Sequence, residues 1–248
     1  MTRWVLEGLR TGIKSSRYPH SAETAAGVSP GRPEAQKGAV TSGAALCPTG
    51  AIAASDDGSI IDYTKCVHCQ RCRAVEPAVV DWQSGYEWAA ESNETRLAEE
   101  LNRRFRRSLH IRFVDAGTCG ACMGEVRQLN NPYYNMHRLG FFFTPTPRNA
   151  DVLMVAGPIT RSMWHPLREA YAAMPPPRRV VAIGVCAVSG GVFGPSAIVA
   201  GGAADALTVD VVVPGCPPPP LAILHGLLVA VQRRPPQPLE SRFLEQAS

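Results

Sequence analysis

Four short apolar runs stand out in the second half of the chain: HIRFVDAG from His110, ADVLMVAGP from Ala150, RRVVAIGV from Arg178 and LTVDVVVPG from Leu207. Each is rich in Val, Ile or Leu and ends near a Gly, the pattern of a short strand buried on both faces. Between them the period changes. Met163, Leu167, Ala170 and Met174 recur at helical spacing over 161–174, and a second helical pattern covers 218–232 after a run of prolines. Apolar strands alternating with helices predict a parallel sheet covered on both faces, an α/β architecture. Two further helices are expected outside this region. Near the N-terminus Trp4, Val5, Leu9 and Ile13 form an apolar stripe among Arg3, Arg10 and Lys14, as an interfacial or partner-docking helix requires, although a lone frayed helix has the same pattern. Over 94–108, Leu97, Leu101 and Phe105 share a stripe while Arg103, Arg104, Arg106 and Arg107 charge the rest, which suits a solvated face or a docking one.

At 248 residues with 45% hydrophobic and 19% charged positions, the chain has enough apolar material for one large or two modest domains and is no disordered polymer. No apolar run reaches the ~18 residues of a membrane span. The start, MTRWVLEGLRTGIKSSRYPH, lacks the apolar core and cleavage site of a secretory signal, so a cytoplasmic protein is expected. A net charge of +4 is too mild to point to nucleic acid, and none is expected as a partner. Eight cysteines in a reducing compartment favour metal binding over disulfides.

Those cysteines divide into two sets of four. In the first, CVHCQRC places Cys66, Cys69 and Cys72 at C-x2-C-x2-C spacing, so one loop can wrap three corners of a cubane cluster, and Cys47 in a Cys-Pro pair supplies the fourth. This is the run of bacterial ferredoxins, C-x2-C-x2-C-x3-C-P, with one cluster's ligands kept and the other's lost. Glu76-Pro77 stands where the next ligand would be, and no cysteine precedes Cys47. A zinc knuckle from the same residues is the weaker alternative, because zinc sites usually pair two short Cys hooks. His68, inside the run, reads as a loop residue that tunes solvent access or hydrogen-bonds a sulfur rather than as a ligand. The second set is the hook Cys119-Gly-Ala-Cys122 followed by Cys186 in GVCAVSGG and Cys216 in PGCPPPP. Its members each follow an apolar run, so they are expected at the carboxyl ends of the strands, where open α/β sheets place their sites.

The pieces DAGTCGAC, TPRNADVLMVAGPITRSM, MPPPRRVVAIGVCAVSGGVF and VDVVVPGCPPPP, in this order, resemble the iron–sulfur small subunit shared by membrane-bound (group 4) nickel–iron hydrogenases and the 20 kDa, B-type subunit of complex I, over roughly residues 110–232. The resemblance implies a flavodoxin-like domain holding one 4Fe-4S cluster on Cys119, Cys122, Cys186 and Cys216 and docked on a large subunit. Complex I subunits carry two adjacent cysteines at the first ligand pair, so the Cys119-x2-Cys122 hook is similar to the hydrogenase branch. The acid that commonly follows the second cysteine there is replaced by Met123, with Glu125 the nearest acid. The stretch WVLEGLRTGIKSSRYP resembles the start of the two-cluster ferredoxin subunits of the same complexes, so the chain is similar to a shortened ferredoxin subunit fused to a small subunit.

The expected organisation is an N-terminal docking helix and connector (1–43), a small α+β ferredoxin-like 4Fe-4S domain (44–84), a linker helix (85–109), the flavodoxin-like parallel-sheet domain (110–232) and a tail (233–248). Two 4Fe-4S clusters closed by four thiolates each leave no position for substrate, which predicts electron transfer and no catalytic residue. The expected role is an electron-transfer subunit of a formate hydrogenlyase-like oxidoreductase, peripheral on the inner face of the cell membrane, with a hydrogenase-type or complex-I-type large subunit and further ferredoxin and membrane subunits as partners. The alternatives are a complex-I-like quinone-reducing module and a redox- or oxygen-sensing cluster protein. Ser189-Gly190-Gly191 lacks the lysine and spacing of a phosphate loop and is read as glycine clearance beside the cluster. Arg148 is read either as a positive charge near the second cluster or as a surface ion-pair partner.

Overall fold

The computed structural model describes residues 3–25, 27–35, 47–55, 58–75, 77, 80–92 and 108–241. The helix expected over 94–108 lies outside them save for its last residue, as does Glu76. The elements are α1 (Arg3–Thr11), β1 (Arg32–Ala35), β2 (Ile52–Ser55), β3 (Gly58–Asp62), α2 (Arg71–Val75), β4 (Val80–Gln83), β5 (Ala90–Glu91), β6 (Leu109–Asp115), α3 (Ala121–Gln128), β7 (Phe141–Phe143), β8 (Val152–Ala156), β9 (Ile159–Thr160), α4 (Arg161–Ala172), β10 (Arg179–Ile183), α5 (Val185–Ser189), β11 (Val199–Gly201), β12 (Val211–Val213), α6 (Pro220–Ala230) and β13 (Glu240–Ser241).

Six strands form the central sheet in the order β5-β12-β10-β8-β6-β7, parallel throughout except for the antiparallel edge β5. Counting only the parallel strands along the chain, the order across the sheet is 2-1-3-4-5, the flavodoxin-like winding, with its switch point between β6 and β8. The apolar runs HIRFVDAG, ADVLMVAGP, RRVVAIGV and LTVDVVVPG become β6, β8, β10 and β12.

Alternation along these strands sends side chains to two separate cores. Ile111, Met154, Val181 and Val213 join one, against α3 and α6; Val114, Leu153, Val155, Val180 and Val212 join the other, against Leu167 of α4. This explains why β8 and β10 read as continuous apolar runs: every residue of both is buried. The helix expected over 161–174 is α4, which buries Leu167 and packs Met163 against the sheet, while Met174 is buried just beyond its end. The pattern at 218–232 is α6, and every one of its residues is buried. No polar face survives on α6 because the segment 84–90 and the N-terminal residues Tyr18 and Val28 cover its outer side.

The cysteine-rich N-terminal third builds a smaller unit. β2 and β3 make a tight antiparallel hairpin, β1 pairs with β4, and a satellite core of Ile52, Ile61, Tyr63 and Val80 fills the space between them. β13, from the segment read as a tail, pairs with the free edge of β3, and Tyr63 donates its N–H to Leu239 beside it. α1 forms as the N-terminal stripe predicts but buries nothing: Trp4, Leu9 and Ile13 are 75%, 72% and 74% exposed.

Candidate metal centres

All four cysteines of the second set rise from the carboxyl end of the sheet. Cys119 lies in the turn after β6, Cys122 at the start of α3, Cys186 in α5 directly after β10, and Cys216 in the turn after β12. The turn that presents Cys119 is organised by Asp115, whose carboxylate accepts hydrogen bonds from the N–H groups of Gly117 and Thr118 at 2.9 and 2.7 Å and from the Thr118 hydroxyl at 3.0 Å. Burial alone would raise its pKa, yet these donors hold the carboxyl below its usual range.

Two glycines are there for clearance. At Gly184 the backbone sits at φ 82°, ψ 154°, a region essentially closed to other residues, and a Cβ would stand 2.7 Å from the Cys122 sulfur. At Gly191, with φ +59°, a Cβ would stand 2.8 Å from the Cys186 sulfur. Burial pushes the Cys122 thiol up to about 12 and Cys186 up to about 11, and each is raised further by its neighbours in the set. Burial and Cys119 raise Cys216 as well. Thiols at Cys122, Cys186 and Cys216 whose ionisation is held back by burial and by their neighbours suit a cationic guest, which would reverse that penalty.

The first set converges in the same way. Cys47, Cys66, Cys69 and Cys72 together line one small cavity, floored by Ile52 and Ile61 and edged by Trp82. Burial pushes Cys66 up to about 12, reinforced by Cys72, Cys47 and Cys69, and raises Cys72 too. Cys47 differs. Burial opposes its ionisation, but donors from Thr49, Ala51 and Ile52 outweigh it and lower its pKa; the Ala51 N–H is 3.3 Å from the sulfur. Asp62 shapes the entry to the loop by accepting from the Thr64 N–H and hydroxyl at 2.9 and 2.6 Å. The cysteines named among the leading causes of each thiol's shift belong to its own set. Among the described residues no three His, Cys, Asp or Glu side chains close on a point tightly enough for a single ion.

His68 is half-buried, and desolvation followed by the nearby Arg32 charge pushes its imidazole down to about 4, so the ring is neutral. Its backbone N–H faces the Cys66 sulfur, while its ring Nδ1 has no hydrogen-bond partner among the described residues. The ring instead meets Trp88 edge-on, with centroids 5.1 Å apart. Trp88 carried no sequence signal, because a tryptophan between two elements is recognisable as a contact only once both sites are folded around it. Arg148 is exposed in a short turn whose Thr146 hydroxyl accepts its N–H. Met123 is half-buried on α3, and burial raises the carboxyl of Glu125 two residues on. Val192, Phe193 and Ile198, in the stretch after Cys186, are large apolar side chains left exposed, another feature without periodicity to announce it.

A family model described as "NADH ubiquinone oxidoreductase, 20 Kd subunit" matches residues 119–230, a stretch that includes every cysteine of the second set and none of the first. The Pyrococcus furiosus protein named "Probable membrane-bound hydrogenase subunit mbhJ" is 37% identical over 140 residues, 56% of this chain and 83% of the relative. The chain belongs to this 20 Kd subunit family. Formate hydrogenlyase subunit 7 of Escherichia coli is 37% identical over 135 residues, 54% of this chain, and the alignment spans 53% of that relative's length. A B-type NADH-quinone oxidoreductase subunit of Rhizobium etli is 45% identical over 112 residues, 45% of this chain and 66% of the relative. The 20 Kd family is thus one of oxidoreductase-complex subunits, and its members are iron–sulfur proteins. Among the described residues no helix is long and apolar enough to cross a membrane.

Proposed function

We propose that the chain is the electron-transfer subunit of a multisubunit, membrane-associated oxidoreductase related to group 4 nickel–iron hydrogenases, holding one 4Fe-4S cluster on Cys47, Cys66, Cys69 and Cys72 and another on Cys119, Cys122, Cys186 and Cys216. The observation that carries this reading is the convergence of the eight cysteines into two complete and separate sets, with no thiol left over. The donor sets fit the group. Each set supplies four cysteines and no other donor, the ligand set of a cubane cluster. A cubane closed by four thiolates accepts and returns one electron without bonding to a substrate.

The residues of the chain hold, shield and present these groups. Gly184 and Gly191 let backbone approach the sulfurs closely, and the Thr49, Ala51 and Ile52 donors stabilise negative charge on Cys47. Cys119 and Cys216 are exposed at the carboxyl end of the sheet, and Val192, Phe193 and Ile198 are exposed in the stretch after Cys186, which suits this end of the domain to a large subunit of hydrogenase or complex I type. Further ferredoxin and membrane subunits would fix the assembly to the inner face of the cell membrane.

A complex-I-like quinone-reducing module is the second reading, favoured by the 45% identity to the Rhizobium etli NADH-quinone oxidoreductase protein. The Cys119-x2-Cys122 hook favours the first. Two measurements test the proposal: iron and acid-labile sulfide on anaerobically purified protein should each reach about eight per chain, and the large subunit encoded beside it should carry two Cys-x2-Cys pairs for nickel and iron. Four irons or fewer at full occupancy, or zinc in their place, overturns the two-cluster reading. A neighbouring large subunit lacking those pairs turns the assignment to the quinone-reducing module.

A further inference from the structure

Two electron-carrying sites in one chain need a path between them, and the structure joins the two cysteine loops at only a few places. The Ser189 hydroxyl, three residues after Cys186, donates to the carbonyl of Thr64, two residues before Cys66, at 2.7 Å. The His68 ring, inside the Cys66–Cys72 run, meets the Trp88 ring edge-on at 5.1 Å and 79°. Trp88, 2% exposed, donates its indole N–H to the carbonyl of Pro214 at 2.9 Å, and Pro214 lies two residues before Cys216. Beside this line of contacts lies a cavity of about 310 Å³ whose walls include His68 on one side and Cys216, Pro217, Glu125 and Tyr134 on the other.

We propose that His68 and Trp88 are positioning residues that form the packed bridge by which electrons pass between the two cysteine sites. Electron tunnelling weakens steeply with distance, and more steeply across empty space than through bonded or touching atoms. His68 and Cys216 both line that cavity, so part of the space between them is empty, while the Ser189–Thr64 hydrogen bond joins the loops on the Cys186 side. The route His68, Trp88, Pro214, Gly215, Cys216 replaces that gap with one ring contact, one hydrogen bond and covalent bonds. The left-handed backbone of His68, at φ 53°, turns its ring out of the cysteine loop toward Trp88. One electron leaves the group at one site and arrives at the other, so one centre is oxidised as the other is reduced; His68 and Trp88 gain and lose no atoms or protons. This inference rests on the two-cluster reading above.

The test uses the full chain, loaded anaerobically, in three forms: native, His68→Phe, which keeps an aromatic edge, and His68→Leu, which keeps apolar volume without a ring. Iron content is measured first: native protein with a single cluster overturns the two-cluster reading and the bridge with it, whereas two clusters whose exchange ignores His68 overturn the bridge alone. Electron exchange between the clusters is then followed after flash reduction by their EPR signals, and the spin–spin interaction of the doubly reduced protein reports their spacing. The bridge predicts exchange slowed by an order of magnitude or more in His68→Leu and restored in His68→Phe, at unchanged spin–spin interaction. Exchange at the native rate in His68→Leu overturns it, and so does equal slowing in both variants. If His68→Leu loses the first cluster, Trp88→Leu, outside both cysteine loops, makes the same comparison, and native exchange there is equally decisive.

Discussion

The two cysteine sites each gather four thiols and build them in opposite ways. The second is assembled from three strand ends of one parallel sheet, so its cysteines come from positions far apart in sequence and inherit their geometry from a core in which β8 and β10 are fully buried. The first takes three cysteines from a seven-residue loop and leans on a satellite core of four buried residues. A large sheet can hold a site rigidly at no extra cost, because its strand ends are already positioned by burial. A small unit cannot, and here it borrows rigidity: β13 returns from the far end of the chain to pair with β3, and Trp88 fastens the His68 loop to the turn before Cys216.

The largest expected effect separates the sites by their consequences. Cys186→Ala should take iron from about eight to about four per chain and, by disturbing α5 just before the exposed Val192, Phe193 and Ile198, release the large subunit in a pull-down assay. Cys69→Ala should cost the same amount of iron but leave the large subunit attached, with its chemistry measurable through an artificial dye. If the Cys186 variant kept dye-linked activity while the Cys69 variant lost it, the roles of the two sites would be exchanged.

Next comes the backbone. Gly184→Ala places a Cβ 2.7 Å from the Cys122 sulfur in a conformation that costs about 1–3 kcal/mol outside glycine, so the second site should fail to load and iron should fall by half. Gly50, near Cys47, has a comparable left-handed φ of +62° but open space around it. Gly50→Ala should therefore cost only about 1–2 kcal/mol of stability and leave the iron content alone. Equal iron loss in both variants would mean that backbone conformation matters and clearance at the sulfur does not.

A smaller effect concerns the borrowed strand. Removing residues 239–248 deletes the pairing of Glu240 and Ser241 with β3 and the Tyr63 bond to Leu239. At about 1 kcal/mol net per hydrogen bond, the loss should be near 2–3 kcal/mol and confined to the first unit. Hydrogen exchange should accelerate at Gly58–Tyr63 and stay unchanged in β8 and β10. Uniform acceleration would show that the two units unfold together.

What could be read from residue order alone follows the same division. Short runs bounded by glycine reveal β6, β8, β10 and β12, and with them the strand-end positions of Cys119, Cys186 and Cys216, because burial on both faces imprints itself locally on composition. The contacts that fix the first site left no such imprint. Trp88 meets Pro214 across 126 positions, and Glu240 meets Asp62 across most of the chain. Ala90–Glu91 is a strand only because β12 offers it an edge. The exposed side chains of Val192, Phe193 and Ile198 have no period to betray them, since a docking surface is selected by shape on the folded molecule. His68 was legible as a loop residue, but its ring contact with Trp88 was not.

The smallest effect is a charge at the turn before Cys119. Asp115 accepts three hydrogen bonds, and its carboxyl sits below the usual range, so the folded state binds this proton less readily than the unfolded chain does. A depressed carboxyl contributes stability that is present above the unfolded pKa, about 3.9, and is lost as the pH falls through the lower folded value. Asp115→Asn keeps an acceptor for the Gly117 and Thr118 N–H groups, removes the charge, and turns the atom facing the Thr118 hydroxyl from an acceptor into a donor, which that hydroxyl meets by accepting. Because the side chain is largely in solvent, screening should hold the difference below about 1 kcal/mol. Urea midpoints of native and variant protein should therefore differ slightly at pH 7, and the gap should begin to close only as the pH falls below about 3.9 and toward the lower folded value. A gap of constant size down the acid range would come from the shape of the turn and not from the charge, and no gap at pH 7 would mean that the neutral amide caps the Cys119 turn as well as the carboxylate does.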